Sequence, residues 1–194
     1  MTRQSDPKRR STLLAAATEH VLDHGMADLS LRPLAQALST SPRMLLYHFG
    51  TKEQLVSEIL ATARVHQAEL TAEWMAEQRD LGPADLLRRF WRWQTDKHRP
   101  FLRLFFEVYG LALQQPARFP GFPADAVKDW LPFIQAALER AGVPDAEAQI
   151  AATMVIAGYR GLLLDALATN DITRATAALD FFLNVLEEHL TPAD

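Results

Sequence analysis

The chain has 194 residues, of which 48% are hydrophobic and 23% charged, and its net charge is −4. These values are ordinary for a soluble globular protein and exclude a chain that is disordered throughout. The sequence contains no cysteine, which excludes disulfides, thiolate metal sites and thiol redox chemistry. The length suits one large core or a small domain joined to a larger one, and the predicted elements favour the second.

The sequence predicts a cytoplasmic protein without a membrane partner. An apolar segment of the signal-peptide type is absent from the N-terminal part of the sequence. No run in the chain approaches the ~20 apolar residues that span a bilayer.

Charge is divided unevenly along the chain. Residues 1–52 hold seven Lys and Arg against four Asp and Glu, a net charge of +3, so the remainder carries −7. A basic N-terminal part concentrates favourable potential where a nucleic-acid backbone would bind. Alone this is slight evidence, since basic N-termini are common.

Two helices are predicted near the N-terminus. The first ends at Gly25, a residue typical of helix C-termini. Ser30 is a candidate N-cap for a second, short helix, whose buried face would carry Leu34, Ala35 and Leu38. The apolar stripe of the first helix has helical spacing and consists of Leu13, Leu14, Ala17, Val21 and Leu22.

A turn at residues 39–41 separates the second helix from a third. Ser41 can cap this third helix, and Pro42 suits its first turn because an N–H is unpaired there in any case. Leu45 and Phe49 lie four residues apart on one face, so Arg43, Met44 and Tyr47 point elsewhere. A helix this short and lightly anchored has the size to lie in a DNA major groove.

Residues 10–60 resemble the N-terminal domain of the TetR family of bacterial one-component transcriptional regulators. Two features depart from the family pattern. Ser39 and Thr40 stand where Gly and Val are usual, and Leu46 replaces the usual aromatic, with Tyr47 displaced by one position. The positions that match the family's most characteristic run are Leu45, His48, Phe49, Thr51, Lys52, Glu53 and Leu55.

The resemblance implies two sets of DNA contacts. Arg donates bidentately to guanine edges, and an exposed Tyr can reach a phosphate or a thymine methyl. Lys52 also lies at a helix N-terminus, where free N–H groups and the helix dipole favour an anion. Taken singly, these residues would more often be solvated surface or, for His48, a packing histidine. The base-reading candidates are Arg32, Pro42, Arg43, Met44 and Tyr47, and the phosphate candidates are His48, Thr51 and Lys52.

The remainder of the chain is predicted to be helical. The last two helices combine small residues with apolar ones and offer more apolar surface than one neighbour would cover, which favours a homodimeric four-helix seam. The alternative is that they complete the core of a monomer. The predicted helices span about residues 52–75, 83–98, 100–114, 126–141, 145–168 and 173–190, with a Pro/Gly-rich loop at 115–123.

Aromatic residues of these helices could line a pocket for an apolar or aromatic small molecule. The alternative is that they belong to the core, as aromatics at helical spacing usually do. Glu107 and Arg160 are further candidate polar anchors for such a ligand. The ligand candidates are Trp91, Arg103, Phe105, Tyr109, Trp130, Phe133, Met154 and Tyr159. No cofactor and no metal site are expected, because the six histidines are scattered.

We therefore predict an all-α protein. Residues 1–51 would form a three-helix DNA-binding domain with a helix-turn-helix, and residues 52–194 a larger helical domain for ligand binding and dimerisation. The resemblance implies a ligand-responsive regulator, most often a repressor, that binds a palindromic operator in double-stranded DNA as a homodimer. One alternative keeps this fold mainly as a small-molecule or protein binding module, with DNA contact secondary.

A second alternative is a helical enzyme that uses, for example, His98 and Glu107 as acid and base. The sequence argues against it, because it contains no H-E-x-x-H, no G-x-S-x-G and no P-loop. We therefore expect a protein that is not an enzyme.

Overall fold

The computed structural model describes residues 6–27, 29–78 and 80–190, and these residues contain no strand. The all-α prediction is therefore confirmed for the part of the chain that is described. The helices are α1 (Pro7–His24), α2 (Leu31–Ala37), α3 (Pro42–Phe49), α4 (Lys52–Ala76), α5 (Pro83–Lys97), α6 (Arg99–Gln114), α7 (Phe122–Lys128), α8 (Leu131–Arg140), α9 (Asp145–Thr169) and α10 (Ile172–Leu190).

The chain divides into two compact units. The first contains α1 to α4, as far as Glu77, together with Arg103–Val108 of α6. The second contains Gln78–Leu102 and the chain from Tyr109 onward. α6 therefore contributes residues to both units.

The first unit has a small core to which each of its short helices contributes. α1 packs on α4 and α2, and α3 packs on α2 and α4. Every helix directs apolar side chains inward at helical spacing, which anchors elements too short to be stable alone. The buried side chains of this core include Leu13, Ala17, Val21, Leu34, Ala35, Leu45, Phe49, Leu55, Val56 and Ile59.

Local capping fixes where α3 and α4 begin. Ser41 Oγ accepts from Met44 N at 3.2 Å, as the sequence predicted. Thr51 and Gln54 form a reciprocal capping box, with bonds of 3.1 and 2.9 Å. The prediction for Ser30 was wrong in part: Ser30 is the N-cap residue of α2, but its side chain makes no cap hydrogen bond. Its side chain is exposed, so water can satisfy the free N–H groups of α2 instead.

The second unit is built around α9, which packs against α8 and α10. α10 also packs on α5, and α8 on α5 and α7. The core is lined with alanine on the α9 side, which lets α8 approach closely. Its buried members are Ile134, Leu138, Val143, Ala148, Ala151, Ala152, Val155 and Ile156.

The structure corrects one predicted helix in this unit. The expected single helix over residues 126–141 is two helices, α7 and α8, which meet at residues 129–130. Pro132 explains the break, because a proline lacks an N–H and its ring would clash with the carbonyl four residues earlier. Pro132 instead occupies the first turn of α8, where an N–H is unpaired in any helix. The predicted loop is shorter than expected, because α7 already begins at Phe122.

α9 is long and apolar enough, by length and composition alone, to cross a membrane. The expectation that no segment approaches this composition was therefore wrong for α9. The finding is weak evidence for a membrane, because a core helix passes the same test. In this fold α9 buries eight side chains, from Ala148 to Ala166.

Candidate functional site

α2 and α3 form a helix-turn-helix. The turn between them is closed by backbone hydrogen bonds from Ser39 N to Gln36 O at 3.1 Å and from Thr40 N to Ala35 O at 2.8 Å. Ser39 has a φ of +51°, in the left-handed region that glycine favours. The turn therefore adopts a glycine-type conformation at a position where this chain has serine.

α3 buries one face and exposes the other. Leu45 and Phe49 are 0% and 4% exposed, whereas Arg43 and Tyr47 lie on the exposed side. Arg32 of α2 is also exposed. We call Arg32, Arg43 and Tyr47 the recognition face, after the base-reading role that the sequence predicts for them. Of the other two predicted base-reading residues, Pro42 and Met44 are each partly buried.

The predicted phosphate contacts begin α4. Thr51 is exposed and serves as the N-cap residue, and Lys52 is the first residue of the helix and is partly buried. The N-terminal N–H groups of α4 and the Lys52 ammonium group are thus close in sequence, an arrangement that suits an anion. A phosphate contact by Thr51 and Lys52 stays a prediction.

His48 is placed differently from the other candidates. Its side chain is 8% exposed, and neither ring nitrogen has a hydrogen-bonding partner among the described residues. The Tyr47 ring lies edge-on to it, with centroids 5.1 Å apart. A phosphate contact by His48 stays a prediction, and it would require the ring to leave this buried position.

Sequence reasoning missed a charged contact behind α3. Arg10 of α1 donates from Nε to His48 O at 3.1 Å and from Nη2 to both carboxylate oxygens of Glu58 at 2.6 Å. The Arg10 guanidinium carbon also lies 4.9 Å from the centroid of the Phe49 ring. Arg10 and Glu58 are 48 positions apart, so no local pattern could have paired them.

In the second unit, part of the predicted ligand set is brought together by a residue that the sequence did not single out. Phe90 lies 5.3 Å from Trp130 and 6.3 Å from Tyr159, measured between ring centroids. Trp91 and Tyr159 meet edge to face at 5.6 Å, and Trp130 and Phe133 do so at 6.4 Å. We call Phe90, Trp91, Trp130, Phe133 and Tyr159 the aromatic cluster; Trp93 also stacks on Phe90, with ring centroids 5.5 Å apart.

The most buried members of this cluster have their polar atoms satisfied within the protein. Trp91 Nε1 donates to Thr176 Oγ1 at 2.8 Å, and the Tyr159 hydroxyl donates to Gln94 Oε1 at 2.8 Å. Burial raises the pKa of Tyr159 well above its usual range, so the hydroxyl remains a donor. These contacts are those of core residues, and a ligand role for Trp91 and Tyr159 stays a prediction.

The other ligand candidates are Arg103, Phe105, Tyr109 and Met154. Arg103 and Phe105 belong to the first unit. Tyr109 lies 6.5 Å from Phe122 in the second unit. Met154 is 51% exposed on α9. The eight candidates are therefore distributed over both units, and their common role in one pocket stays a prediction.

The two further polar anchors have defined contacts. Arg160 Nη2 donates to the Ala126 carbonyl, and burial lowers the pKa of Arg160, opposed by a charge interaction with Tyr109. Within the first unit, both carboxylate oxygens of Glu107 accept from Met26 N, at 3.0 and 2.9 Å. Glu107 thus binds the backbone just after α1, whereas His98 belongs to the second unit.

α9 and α10 carry large apolar side chains on the surface of this chain. Ile150, Met154 and Leu164 of α9 are 63%, 51% and 50% exposed, and Phe181 and Val185 of α10 are 71% and 46% exposed. We call these five residues the apolar face. Contiguous exposed apolar surface marks a protein, membrane or ligand contact.

On α9, small residues lie between the large side chains of the apolar face. Ala157 and Gly161 are exposed and continue the spacing that begins at Ile150 and Met154. A Cβ at Gly161 would meet nothing within 4 Å, so this chain does not itself require glycine there. By contrast, a Cβ at Gly158 would approach Phe182 Cζ to 3.2 Å. The absence of a side chain at Gly158 therefore allows the close packing of α9 on α10.

Comparisons with known proteins agree with this fold. The family model described as bacterial regulatory proteins, tetR family, matches residues 13–59. The chain resembles a transcriptional regulator from Rhodococcus sp. Rha1, at 19% identity and a TM-score of 0.75, over 95% of this chain and 99% of that one. A regulator from Saccharomonospora viridis in complex with choline matches at 22% identity and a TM-score of 0.73, over 95% and 97%.

The multidrug binding protein EbrR, complexed with imidazole, is also similar, at 26% identity and a TM-score of 0.60, over 97% of this chain and 93% of that one. A comparison with curated proteins finds no match. The fold is therefore that of the TetR-like transcriptional regulators, with the family's DNA-binding domain at its N-terminal end. Residues 13–59 match the model of the tetR family of bacterial regulatory proteins, which confirms the resemblance drawn from the sequence for this part of the chain.

Proposed function

We propose that the chain is a ligand-responsive transcriptional regulator, a repressor that binds a palindromic DNA operator as a homodimer. The observation that carries the proposal is the recognition face: Arg32, Arg43 and Tyr47 are exposed on helices whose opposite faces are buried. One α3 from each subunit would enter successive major grooves, with half-site spacing set by the two-fold axis of the dimer.

The residue roles follow from chemistry and position. Arg32, Pro42, Arg43, Met44 and Tyr47 would contact base edges, with Arg43 donating to a guanine. Thr51 and Lys52, and His48 if its ring moves outward, would contact phosphates. In this scheme residues 1–51 form the DNA-binding domain and residues 52–194 the domain for ligand binding and dimerisation.

Dimerisation would use α9 and α10. The apolar face is supported for this role by its large exposed side chains and by the small residues between them, which permit close approach of a second helix pair. Burying a leucine-sized side chain stabilises an association by about 1.5–3 kcal/mol. The five residues of the apolar face would therefore contribute favourably to association, although only their exposed part remains to be buried.

The effector would be an apolar or aromatic small molecule. The choline complex of one structural neighbour and the imidazole complex of another support a small-molecule ligand for this fold. The residues proposed to bind it are the eight candidates named above, of which Phe133 is 40% exposed at the edge of the aromatic cluster. The mechanism uses no cofactor and no metal, and we propose that the protein is not an enzyme.

Ligand binding would tilt α4 and so spoil the spacing of the two recognition helices. A complete switch requires the ligand to favour one state by ~10⁴-fold, or about 5.5 kcal/mol. An effector that abolishes DNA binding without changing the separation of the two α3 helices would contradict this mechanism.

The first test is selection from a random DNA duplex pool at moderate salt with the purified protein. An enriched palindrome would support sequence-specific binding by a dimer and would supply a probe for effector screening. Binding that is salt-sensitive but blind to sequence, or no binding at all, would contradict the proposal and favour the alternative of a small-molecule or protein binding module.

A further inference from the structure

We propose that Arg10 and Glu58 form a clamp that positions the recognition helix α3 for DNA binding, although neither residue belongs to the helix-turn-helix. The inference rests on the proposed function, because it assigns these residues a role in DNA recognition. Arg10 lies in α1 and Glu58 in α4. The clamp therefore connects the last turn of α3 to both of the longer helices of the first unit.

Arg10 contacts the end of α3 in two ways. The last carbonyls of a helix lack intrahelical partners and carry partial negative charge, so a cation is favoured there. Arg10 Nε donates to one of these carbonyls, His48 O, at 3.1 Å. Its guanidinium carbon lies 4.9 Å from the centroid of the neighbouring Phe49 ring, within the range of a cation–π contact.

Glu58 fixes the direction of the Arg10 guanidinium group. Arg10 Nη2 is 2.6 Å from each carboxylate oxygen of Glu58, and the two side chains are 35% and 33% exposed. An ion pair this exposed adds little stability. Its effect is mainly geometric, because it holds Nε toward the carbonyl of His48.

α3 needs such a contact because the rest of its attachment is slight. It has eight residues, its first turn is held by the Ser41 cap, and its core contacts come mainly from Leu45 and Phe49. Side chains that contact bases must be held within about 0.5 Å and 10–20° of their productive geometry. The Arg10 guanidinium group contacts the C-terminal end of α3 and so restricts tilting of the helix about its capped N-terminal end.

The simpler alternative is that Arg10 binds a DNA phosphate directly. Removing the negative charge of Glu58 separates the two roles, since they predict changes of opposite sign. If Arg10 binds phosphate, Glu58→Gln frees the guanidinium and removes an anion near DNA, so affinity rises. If Arg10 positions α3, the same substitution releases the clamp and lowers affinity for the specific sequence.

The test compares Glu58→Gln with Glu53→Gln, a control that removes the same charge from an exposed position on α4. Binding is measured over a range of salt concentrations on the selected duplex and on a scrambled one. We expect Glu58→Gln to lose about tenfold in specific affinity, as for one disrupted base contact, with little change on scrambled DNA or in the salt slope. Glu53→Gln should bind at least as well as the wild type.

Glu58→Gln binding that equals or exceeds the wild type would overturn the clamp. So would an equal loss on both duplexes with a smaller salt slope, because that is the signature of a lost phosphate contact. Arg10→Gln should behave like Glu58→Gln, and Arg10→Lys should not restore specificity, since lysine lacks the planar fork that makes both contacts.

Amide hydrogen exchange in the free protein tests the clamp without DNA. We expect Glu58→Gln to accelerate exchange by several-fold in the last turn of α3, at residues 46–50, while Glu53→Gln does not; unchanged exchange would overturn the proposal. If the wild type selected no sequence, the proposed function would fail, and the exchange measurement would still decide whether Arg10 and Glu58 hold α3.

Discussion

The recognition face and the apolar face are both exposed, yet their chemistry is opposite. The recognition face consists of two arginines and a tyrosine on short helices, whereas the apolar face consists of aliphatic side chains, a methionine and a phenylalanine on long ones. Each composition matches a different partner. Charged donors suit a polyanion, and exposed apolar side chains suit a second protein surface.

The two faces also differ in how they are supported. α3 has eight residues and buries three of its own side chains, whereas α9 has 25 residues and buries eight. Substitutions on the apolar face should therefore leave the well-anchored α9 and α10 folded and affect association. Substitutions on or behind α3 act on a weakly anchored helix, so they can change DNA recognition through position as well as through contact.

The largest expected effect is on the apolar face, from Phe181→Glu. Phe181 is 71% exposed, and in the proposed seam the new carboxylate of each subunit would be desolvated without a partner. Burying an unpaired charge opposes association by several kcal/mol, so the dimer should weaken by about 100-fold or more. Sedimentation equilibrium would measure the change, and operator affinity should fall with it.

Val65→Glu provides the matched control for Phe181→Glu. Val65 is 57% exposed on α4 and does not belong to the apolar face, so its substitution should leave the dimer intact. A Phe181→Glu protein that dimerises like the wild type would show that α10 does not form the seam. The same result would favour the alternative in which α9 and α10 only complete the monomer.

The next effect in size separates two residues of the DNA-binding region. Arg43→Ala should lose about 1–3 kcal/mol per base contact on the selected operator and should relax sequence preference at the base it reads. Lys52→Ala should weaken binding to all sequences and lower the salt slope by about 0.9 per phosphate contact. Fluorescence anisotropy at several salt concentrations, on operator and scrambled duplexes, measures both quantities.

Equal losses for Arg43→Ala on both duplexes would contradict base reading by Arg43 and would reassign it to the phosphate backbone. A Lys52→Ala protein that loses only its sequence preference would contradict the phosphate contact assigned to Lys52. The pair is informative because each variant is the control for the other: both remove one cation, and only the predicted geometry distinguishes them.

The helix-turn-helix could be predicted from the sequence because its signals are local. Ser41, Pro42 and Thr51 mark helix starts within a few residues, and the apolar spacing of Leu45 and Phe49 defines the buried face of α3. The break between α7 and α8 also has a local signal, Pro132, but this proline lies inside an otherwise regular amphipathic pattern that predicts one continuous helix. Local rules therefore sufficed for nearly all helix bounds.

The parts that could not be predicted depend on tertiary contacts. No sequence pattern pairs Arg10 with Glu58 across 48 positions, or makes Phe90 the centre of the aromatic cluster. His48 has the sequence context of a phosphate contact, but packing against neighbouring helices buries its ring. The ligand candidates were chosen by residue type, and type alone cannot separate an aromatic core residue from a pocket residue.

A smaller effect, on stability, is expected for His48→Phe. Both ring nitrogens of His48 are buried without a partner among the described residues, and an unsatisfied buried polar group is unfavourable by about 1–3 kcal/mol. Phenylalanine fills similar space without polar atoms, so the free energy of unfolding should rise by about 1 kcal/mol. Denaturant unfolding monitored by circular dichroism would measure this change.

The same His48→Phe variant tests the predicted phosphate contact. If the ring turns outward to bind DNA, the variant gains stability but loses affinity equally on all sequences. If the ring stays buried, stability rises and affinity is unchanged. A loss of stability would contradict the burial argument itself, because it would mean that the ring nitrogens are satisfied in solution.

The smallest expected effect is a gain in stability from Ser39→Gly in the turn of the helix-turn-helix. Ser39 has a φ of +51°, and a left-handed conformation is unfavourable by about 1–2 kcal/mol for a residue with a Cβ. Glycine relieves this strain but loses more backbone entropy on folding, so the net gain in unfolding free energy should be about 0.5–1 kcal/mol.

Ser30→Gly is the control, because Ser30 has an extended φ of −129° and glycine there should give no gain. Because the strain lies in the turn and not on the recognition face, operator preference should be unchanged; if Ser39→Gly altered that preference, the serine would be setting the angle of α3, and the turn would have to be counted among the groups that position the recognition helix.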